Sequence, residues 1–353
     1  MVHKIMLCWG INMSSYKIAV VVPRMITGEI GGAERFFTGL INSLNTASTS
    51  ATLVEVLIDE SSFETIQESY LRCYDLDLSD YDAVISTKAP TFLVRHPNHI
   101  CYLVHTIRVF YDMFEQEFGH GNQVLKTQRD TIQKLDTGAL RSPRTKKVFT
   151  IGNEVSQRLL KWNGIKSEVL HPALVLDNFH QGNYEYIFMP GRLHRWKRVD
   201  LVIKAMRHLQ HPIRLKIVGT GEQEQELREL SGTDERIEFL GRVSDEELLD
   251  LYANALVIPF VPIREDYGYV TLEAFAHTKP VISCQDSGEC LQFVKNGING
   301  FVVAPQAKEI AKAIEYFIND PEQAKVMGKR GKLDISHINW SNISQRLLGV
   351  LRE

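Results

Sequence analysis

The stretch "ALVIPFVPIREDYGYVTLEAFAHTKPVISC", residues 255–284, decides the fold. It opens on an apolar run at 255–260 and turns through polar residues and a glycine at 263–268. Apolar residues then repeat at helical spacing over 269–277, before a second β-rich run at 279–284. Strand, turn, helix, strand is a βα unit of a parallel sheet. Upstream the same alternation gives strands in "YIFMPGR" (186–192), "RLKIVG" (214–219) and "RIEFLG" (236–241), and downstream in "GFVVAP" (300–305). "VDLVIKAMRHL", "DEELLDLYANA" and "AKEIAKAIEYFI" are the helices between and after them. The first half repeats the pattern with "KIAVVVP" (17–23), "TLVEVLI" (52–58), "YDAVIST" (81–87), "HICYLVHT" (99–106) and "KVFTIG" (147–152). Helical segments follow at 33–44 and 153–164, the latter with Asn153 as its cap and Gly164 as its stop.

Between the halves, "HPALVLDNFHQGNYE" (171–185) has proline, glycine and asparagines and no sustained period, so the linker is placed near 174–183. The expected class is α/β: two Rossmann-like, doubly wound domains, 1–175 and 184–335. A last amphipathic helix, 336–353, is expected to pack back across the boundary. Ligands of such sheets sit outside the carboxyl ends of the strands, here in the crevice between domains.

A chain of 353 residues suits two domains, and 44% apolar with 24% charged residues is ordinary soluble composition. Lys+Arg 40 against Asp+Glu 43 leaves a net charge of -3, which gives no global reason for a nucleic-acid partner. Five cysteines without C-x-x-C spacing argue for a reducing compartment and no zinc site. The apolar start "IMLCWGI" (5–11) is far short of the ~20 residues that span a bilayer, so a cytoplasmic protein is expected. Residues 1–12 read as a loose extension, with Met13 an equally good start.

Four features fall just after predicted strands. Gly31 and Gly32, in "ITGEIGGAERFF", precede a helix and leave its N–H groups open to an anion. In "MPGRLHRWKRVD" (189–200), Arg192 and Lys197 can converge on a phosphate, with Arg195 and Arg198 as solvated neighbours. In the opening stretch, Glu265 sits in the turn, Gly268 lets the chain bend, and Glu273 lies about one turn into the helix that begins near Tyr269. Two acceptor-only carboxylates there suit a ligand rich in vicinal hydroxyls. His105, at a strand's end, could donate to a sugar hydroxyl or manage a proton near neutral pH. Each has a plain structural alternative, a turn, a solvated charge, a dipole-stabilised glutamate or a structural histidine.

Taken together, "GGAE", "GRLHRWKRVD", "GTG" (219–221), "FLGRVSDEELLDLYANA", "EDYGYVTLEAFAHTKPVI" and "NGINGFVVAP" resemble a retaining glycosyltransferase of family 4 with the GT-B fold. The likeness covers nearly all of the second half, and in the first only the strand order, the glycine loop and His105. It implies that Glu265, first of the E-x7-E motif, contacts the transferred sugar and that Glu273 holds the ribose diol. Arg192 and Lys197 would bind the diphosphate, Gly31 and Gly32 would lie against it, and His105 would lie near the sugar. Tyr267, Gly268 and Tyr269 complete the donor-binding set, and Glu265, His105, Arg192 and Lys197 form the candidate catalytic set. The donor would be a nucleotide-sugar, GDP-mannose favoured, and the acceptor a glycan or lipid-linked saccharide against the first domain. No metal is strictly required: the D-x-D at Asp75–Asp77 reads as solvated surface. "LRSPRTKK" (140–147) could touch an anionic membrane, giving a peripheral contact at its inner face.

Two departures stand out. Asp266 replaces the usual glycine after the first glutamate, and is expected beside the sugar site or out in solvent. Glu289, Cys290 and Gln292 stand where many relatives have Gly, Pro and Glu, which leaves the helix cap there open. Alternative functions are a nucleotide-sugar epimerase or sugar-phosphate synthase on the same fold, a two-carboxylate glycosidase, and a silent nucleotide-sugar-binding subunit. No G-x-G-x-x-G follows a first strand, which disfavours a dehydrogenase.

Overall fold

A computed structural model of the chain describes residues 16–26 and 32–353. The proposed extension at 1–12 and Gly31 of the glycine loop lie outside these residues, while Gly32 opens the first helix, Gly32–Leu44.

The first sheet has six strands, β1 (Tyr16–Met25), β2 (Thr49–Ile58), β3 (Ala83–Ser86), β4 (His99–Leu103), β5 (Thr145–Thr150) and β6 (Glu168–Val169). Their order is β2-β1-β3-β4-β5-β6, every pairing parallel. Its central strands are buried on both faces, which is why "AVIS" and "HICYL" read as continuous runs rather than alternating ones. The second sheet holds β7 (Tyr186–Pro190), β8 (Leu215–Val218), β9 (Ile237–Gly241), β10 (Ala255–Pro259), β11 (Val281–Cys284) and β12 (Gly300–Val303). Its order is β12-β11-β10-β7-β8-β9, again parallel. Residues 170–185 between the sheets carry neither helix nor strand.

These orders fix where a ligand can bind. Strand order reverses between β7 and β10 in the second sheet and between β1 and β3 in the first, so connections leave those neighbours in opposite directions and a crevice opens at their carboxyl ends. The loops after β7 and β10 are those that carry Arg192, Lys197, Glu265 and Glu273.

The last helix, Trp340–Arg352, returns to the first sheet. Ile343, Leu347 and Leu351 are buried in its core, Tyr16 OH donates to the Leu351 carbonyl at 3.0 Å, and Trp340 Nε1 donates to Leu174 O at 3.0 Å. A Cβ on Gly39 would lie 2.2 Å from the Trp340 ring, so this indole fills a notch that only glycine leaves.

Two local expectations need correction. Asn153 is the first helical residue of Asn153–Asn163, not its cap; Gly152 occupies the cap position, and the amide of Asn153 is used elsewhere. The stop at Gly164 is a left-handed residue (φ 61°) whose N–H reaches back to Leu160 O, as a helix-ending glycine does. The 18-residue helix Gln123–Leu140 was not foreseen: Ile132, Asp136 and Leu140 are its buried residues, too few to give an apolar stripe.

Candidate active site

The turn after β10 is held from two directions. Arg264 adopts a left-handed conformation (φ 46°), an uncommon one for a side-chain-bearing residue. Its N–H donates to Asp286 O, and that of Glu265 to Ser287 O. From the other side Arg198, expected as solvated, is largely buried: its guanidinium donates to the carbonyls of Val261 (2.6 Å) and Pro262 (2.7 Å) and pairs with Asp286. Arg198 is a strut beneath the turn rather than a surface charge. Gly268 ends the turn at φ 83° and caps the helix Tyr269–Ala276; a Cβ there would meet Cys290 Sγ and Phe260 at 2.8 Å.

Lys197 closes a short 3-10 turn, Arg195–Lys197, after β7, and its ammonium donates to Glu265 Oε2 at 2.6 Å. Both side chains are partly exposed, at 27% and 19%, so they face the crevice. Arg192 lies instead 3.5 Å from Glu222, which His194 Nε2 also approaches at 3.3 Å. The loop thus presents its two cations to two different carboxylates, and Arg195 pairs with Glu117 of the first domain.

Glu273 is 5% exposed. Its Oε2 accepts from Tyr252 OH at 2.7 Å, and its Oε1 from Arg35 Nη1 at 2.5 Å; Arg35 also holds Asp245 at 2.9 Å. Arg35 stands in the first turn of Gly32–Leu44, just past the glycine pair, so this ion pair spans the crevice. Beside it the hydroxyl of Tyr269 is buried with no hydrogen-bond partner among the described residues, as is that of Thr271. A buried hydroxyl without a partner is costly in a finished fold, which marks Tyr269 as a group awaiting a ligand.

His105 follows β4. Its Nδ1 lies 2.7 Å from the Thr106 carbonyl, an acceptor, so Nδ1 carries the proton and Nε2 presents a lone pair. Burial, with Lys88 and Arg108 nearby, pushes its pKa down to about 3. The expectation of a donor that titrates near neutral pH is therefore revised: His105 is a neutral imidazole that accepts. His99 (about 3) and His277 (about 4) are likewise held neutral by burial, while burial raises Asp136 to about 7 against the pull of its two tyrosine donors.

These shifts set an acid limit. Between pH 4 and 6.5 the three histidines take up protons only on unfolding, which removes stability as pH falls; Asp136 is protonated only when folded and works the other way. Three groups outweigh one, a net uptake of about two protons on unfolding. The expected result is a melting temperature that falls steadily from pH 6.5 to 4.5; a flat profile would show that these imidazoles titrate normally.

Several functional contacts escaped the sequence. Asp266 is not out in solvent: Arg158 of the first domain holds it at 2.5 and 3.2 Å. Burial opposes its ionisation, but Arg108 and Arg158 outweigh that and keep its pKa at about 2. Glu289 is fully buried and caps the other domain's helix, accepting from Glu154 N (2.9 Å) and Asn153 Nδ2 (3.1 Å), with His171 Nε2 at 2.8 Å. Tyr267 is buried and its hydroxyl donates to Pro172 O, which ties the turn after β10 to the segment between the sheets. The one signal available was that Asp266 and Glu289 depart from the expected motif. Asp75 and Asp77 are surface groups, the first 3.8 Å from Arg95, the second accepting from Ser79 N.

Comparison with known proteins agrees with this geometry. Residues 176–334 match the family model for glycosyl transferases group 1. An uncharacterized glycosyltransferase of Methanocaldococcus jannaschii is 24% identical over 57% of this chain and 55% of its own length. The alpha-1,3/1,6-mannosyltransferase ALG2 of Homo sapiens is 24% identical over 74% of this chain and 71% of its own. The chain thus spans about half the length of the archaeal relative, and more of the human one. Anabaena Alr3699/HepE, solved in complex with UDP-glucose, superposes with a TM-score of 0.73 at 17% identity over 95% of this chain and 99% of that one. Residues 176–334 thus resemble the glycosyl transferases group 1 family, and the chain has the GT-B architecture over nearly its whole length.

Proposed function

We propose that the chain transfers a hexose, with retention, from a nucleoside-diphosphate sugar to a glycan or lipid-linked saccharide. The observation that carries this is the pairing of Lys197 with Glu265 and of Arg35 with Glu273 in one crevice, at the reversal point of the second sheet. Each pair holds a carboxylate in place with its lone pairs directed until a ligand's hydroxyls arrive. The donor domain is 184–335, the acceptor side 1–175, and the last helix ties them.

On donor binding Lys197 turns from Glu265 to the diphosphate, joined by Arg192, and leaves Glu265 to accept from the sugar's hydroxyls. Glu273 accepts from the ribose diol, with Tyr269 OH beside it. His105 accepts from a further sugar hydroxyl through Nε2. As the glycosidic bond breaks, negative charge grows on the departing diphosphate, and positioned cations stabilise that charge more than the ground state. The acceptor hydroxyl then attacks from the same face and gives its proton to a phosphate oxygen, so no protein nucleophile is needed. A divalent cation has no assigned task, and transfer is expected to be unchanged in a chelator; loss of activity that Mg²⁺ restores would overturn that.

The mannose preference is supported by the name of the human relative, whereas the superposed Anabaena structure carries UDP-glucose. Thermal unfolding with GDP, UDP, ADP and their sugar conjugates separates the two. A ligand at ~100 times its Kd adds about 2.7 kcal/mol to the native state. One base family should raise the melting temperature of the wild type, and much less that of Glu273→Ala. No shift with any nucleotide would leave a degenerate or partner-dependent protein as the better account. A two-carboxylate hydrolase is disfavoured because both oxygens of Glu273 already accept, from Arg35 and from Tyr252.

No helix among the described residues is long and apolar enough to cross a membrane. Lys146 and Lys147 on β5 are the supporting feature for a peripheral contact, although Glu168 already neutralises Lys147 at 3.1 Å.

A further inference from the structure

We propose that Arg158 and Asp266 are positioning residues for sugar transfer: the first domain grips the backbone on both sides of Glu265, and this grip, not the donor domain alone, aims the Glu265 carboxylate. The inference rests on the donor-site assignment above and extends it to residues outside the crevice.

Three contacts, each one residue or one hydrogen bond from Glu265, make up the grip. On the near side, Arg108 Nη2 donates to the carbonyl of Arg264 at 2.9 Å. On the far side, Arg158 forks onto both oxygens of Asp266, with Nη2 at 2.5 Å and Nη1 at 3.2 Å. Beneath, the N–H of Glu289 donates to the Glu265 carbonyl at 2.9 Å, while the Glu289 carboxylate caps the helix Asn153–Asn163. Arg158 stands on that same helix, so one element of the first domain holds the donor turn at two points.

The grip is built rather than incidental. The Arg158 side chain is 1% exposed and its Nε lies 2.7 Å from Asp112, which also pairs with Arg108 at 2.7 Å; two arginines and two aspartates form a neutral buried set. A forked guanidinium fixes direction as well as distance, which a lysine would not. At the helix start, a Cβ on Gly152 would fall 2.6 Å from Glu289 Cδ and 2.8 Å from Asp266 O, so only glycine admits both anchors. Both anchors are the positions where the chain departs from the expected motif. Asp266 and Glu289 thus share one attachment, to a single helix across the domain boundary.

None of these contacts touches Glu273 or Lys197, the groups assigned to the ribose and the diphosphate. Loosening the grip should therefore harm recognition of the sugar and spare that of the nucleotide. The test is calorimetric: Kd for GDP and GDP-mannose, and for UDP and UDP-glucose, with wild type, Asp266→Asn and Glu289→Gln. With the pair that binds, each variant is expected to lose about tenfold in affinity for the sugar conjugate, the order of one charge-assisted contact, while the free diphosphate changes less than about threefold. Parallel weakening of both ligands would mean a general role in domain pairing and overturn the proposal, as would unchanged binding of both. Glu289→Gln keeps the test open should Asp266→Asn not fold, since it loosens the grip at a separate point. A wild type that binds no nucleotide would overturn the donor-site assignment itself, a result distinct from either.

Discussion

Lys197→Ala is expected to lower kcat for sugar transfer by about 10²–10³, with a smaller change in KM for the donor. The ammonium is the cation nearest Glu265, at 2.6 Å, and is 27% exposed, so it can turn to the diphosphate without leaving the site. Charge on the leaving group is greatest in the transition state, so a cation placed there acts on kcat more than on binding. Arg192 is held toward Glu222 and about half exposed, and cannot replace a charge already in place. Lys197→Arg should keep part of the rate, because charge is retained while reach and geometry differ. Steady-state kinetics with the donor identified by thermal shift is the measurement. A kcat for Lys197→Ala within threefold of wild type would remove Lys197 from the leaving group.

The second large effect is on stability. Arg158→Ala leaves Asp112 and Asp266 buried with only Arg108 between them, and breaking a buried pair in this way costs about 3–5 kcal/mol. Denaturant unfolding at pH 7 should show it as a lower midpoint. The pH dependence supplies a sign check. Asp266 has a folded pKa near 2, below the ordinary carboxylate value, so its contribution is complete above pH 4 and is lost as pH falls toward 2. The gap between wild type and Arg158→Ala should therefore be widest near neutral pH and narrow in acid. A gap independent of pH would point to lost packing of the long side chain instead of lost charge pairing.

What could be read in advance follows from the range of each interaction. β10, β7 and β4 announce themselves because a strand buried on both faces is a continuous apolar run, and the turns after β7 and β10 are marked by glycine or proline. The helix Gln123–Leu140 hides because it buries little, and β6 because two residues make no pattern. In the site, Glu265, Glu273, Lys197 and Arg192 were visible as neighbours in sequence. Their partners were not: Arg35 meets Glu273 from 238 positions away, and Arg158 meets Asp266 from 108. Asp266 drew notice as a departure, yet a lone carboxylate in a turn reads as solvated until the arginine from the other domain is seen. Arg198 was misread for the same reason, since its carbonyl partners at Val261 and Pro262 lie more than 60 positions on.

The returning helix Trp340–Arg352 has a consequence for the order in which the protein is made. The first sheet leaves the ribosome before the second, but part of its core, Ile343, Leu347 and Leu351, is translated after the second, and the Gly39 notch stays open until Trp340 emerges. The second sheet, whose strands run from Tyr186 to Val303, has all its strands before that point. The domain of the first sheet is therefore completed only after every strand of the second sheet has been made, and the nascent chain must carry it unfinished until Trp340–Arg352 emerges.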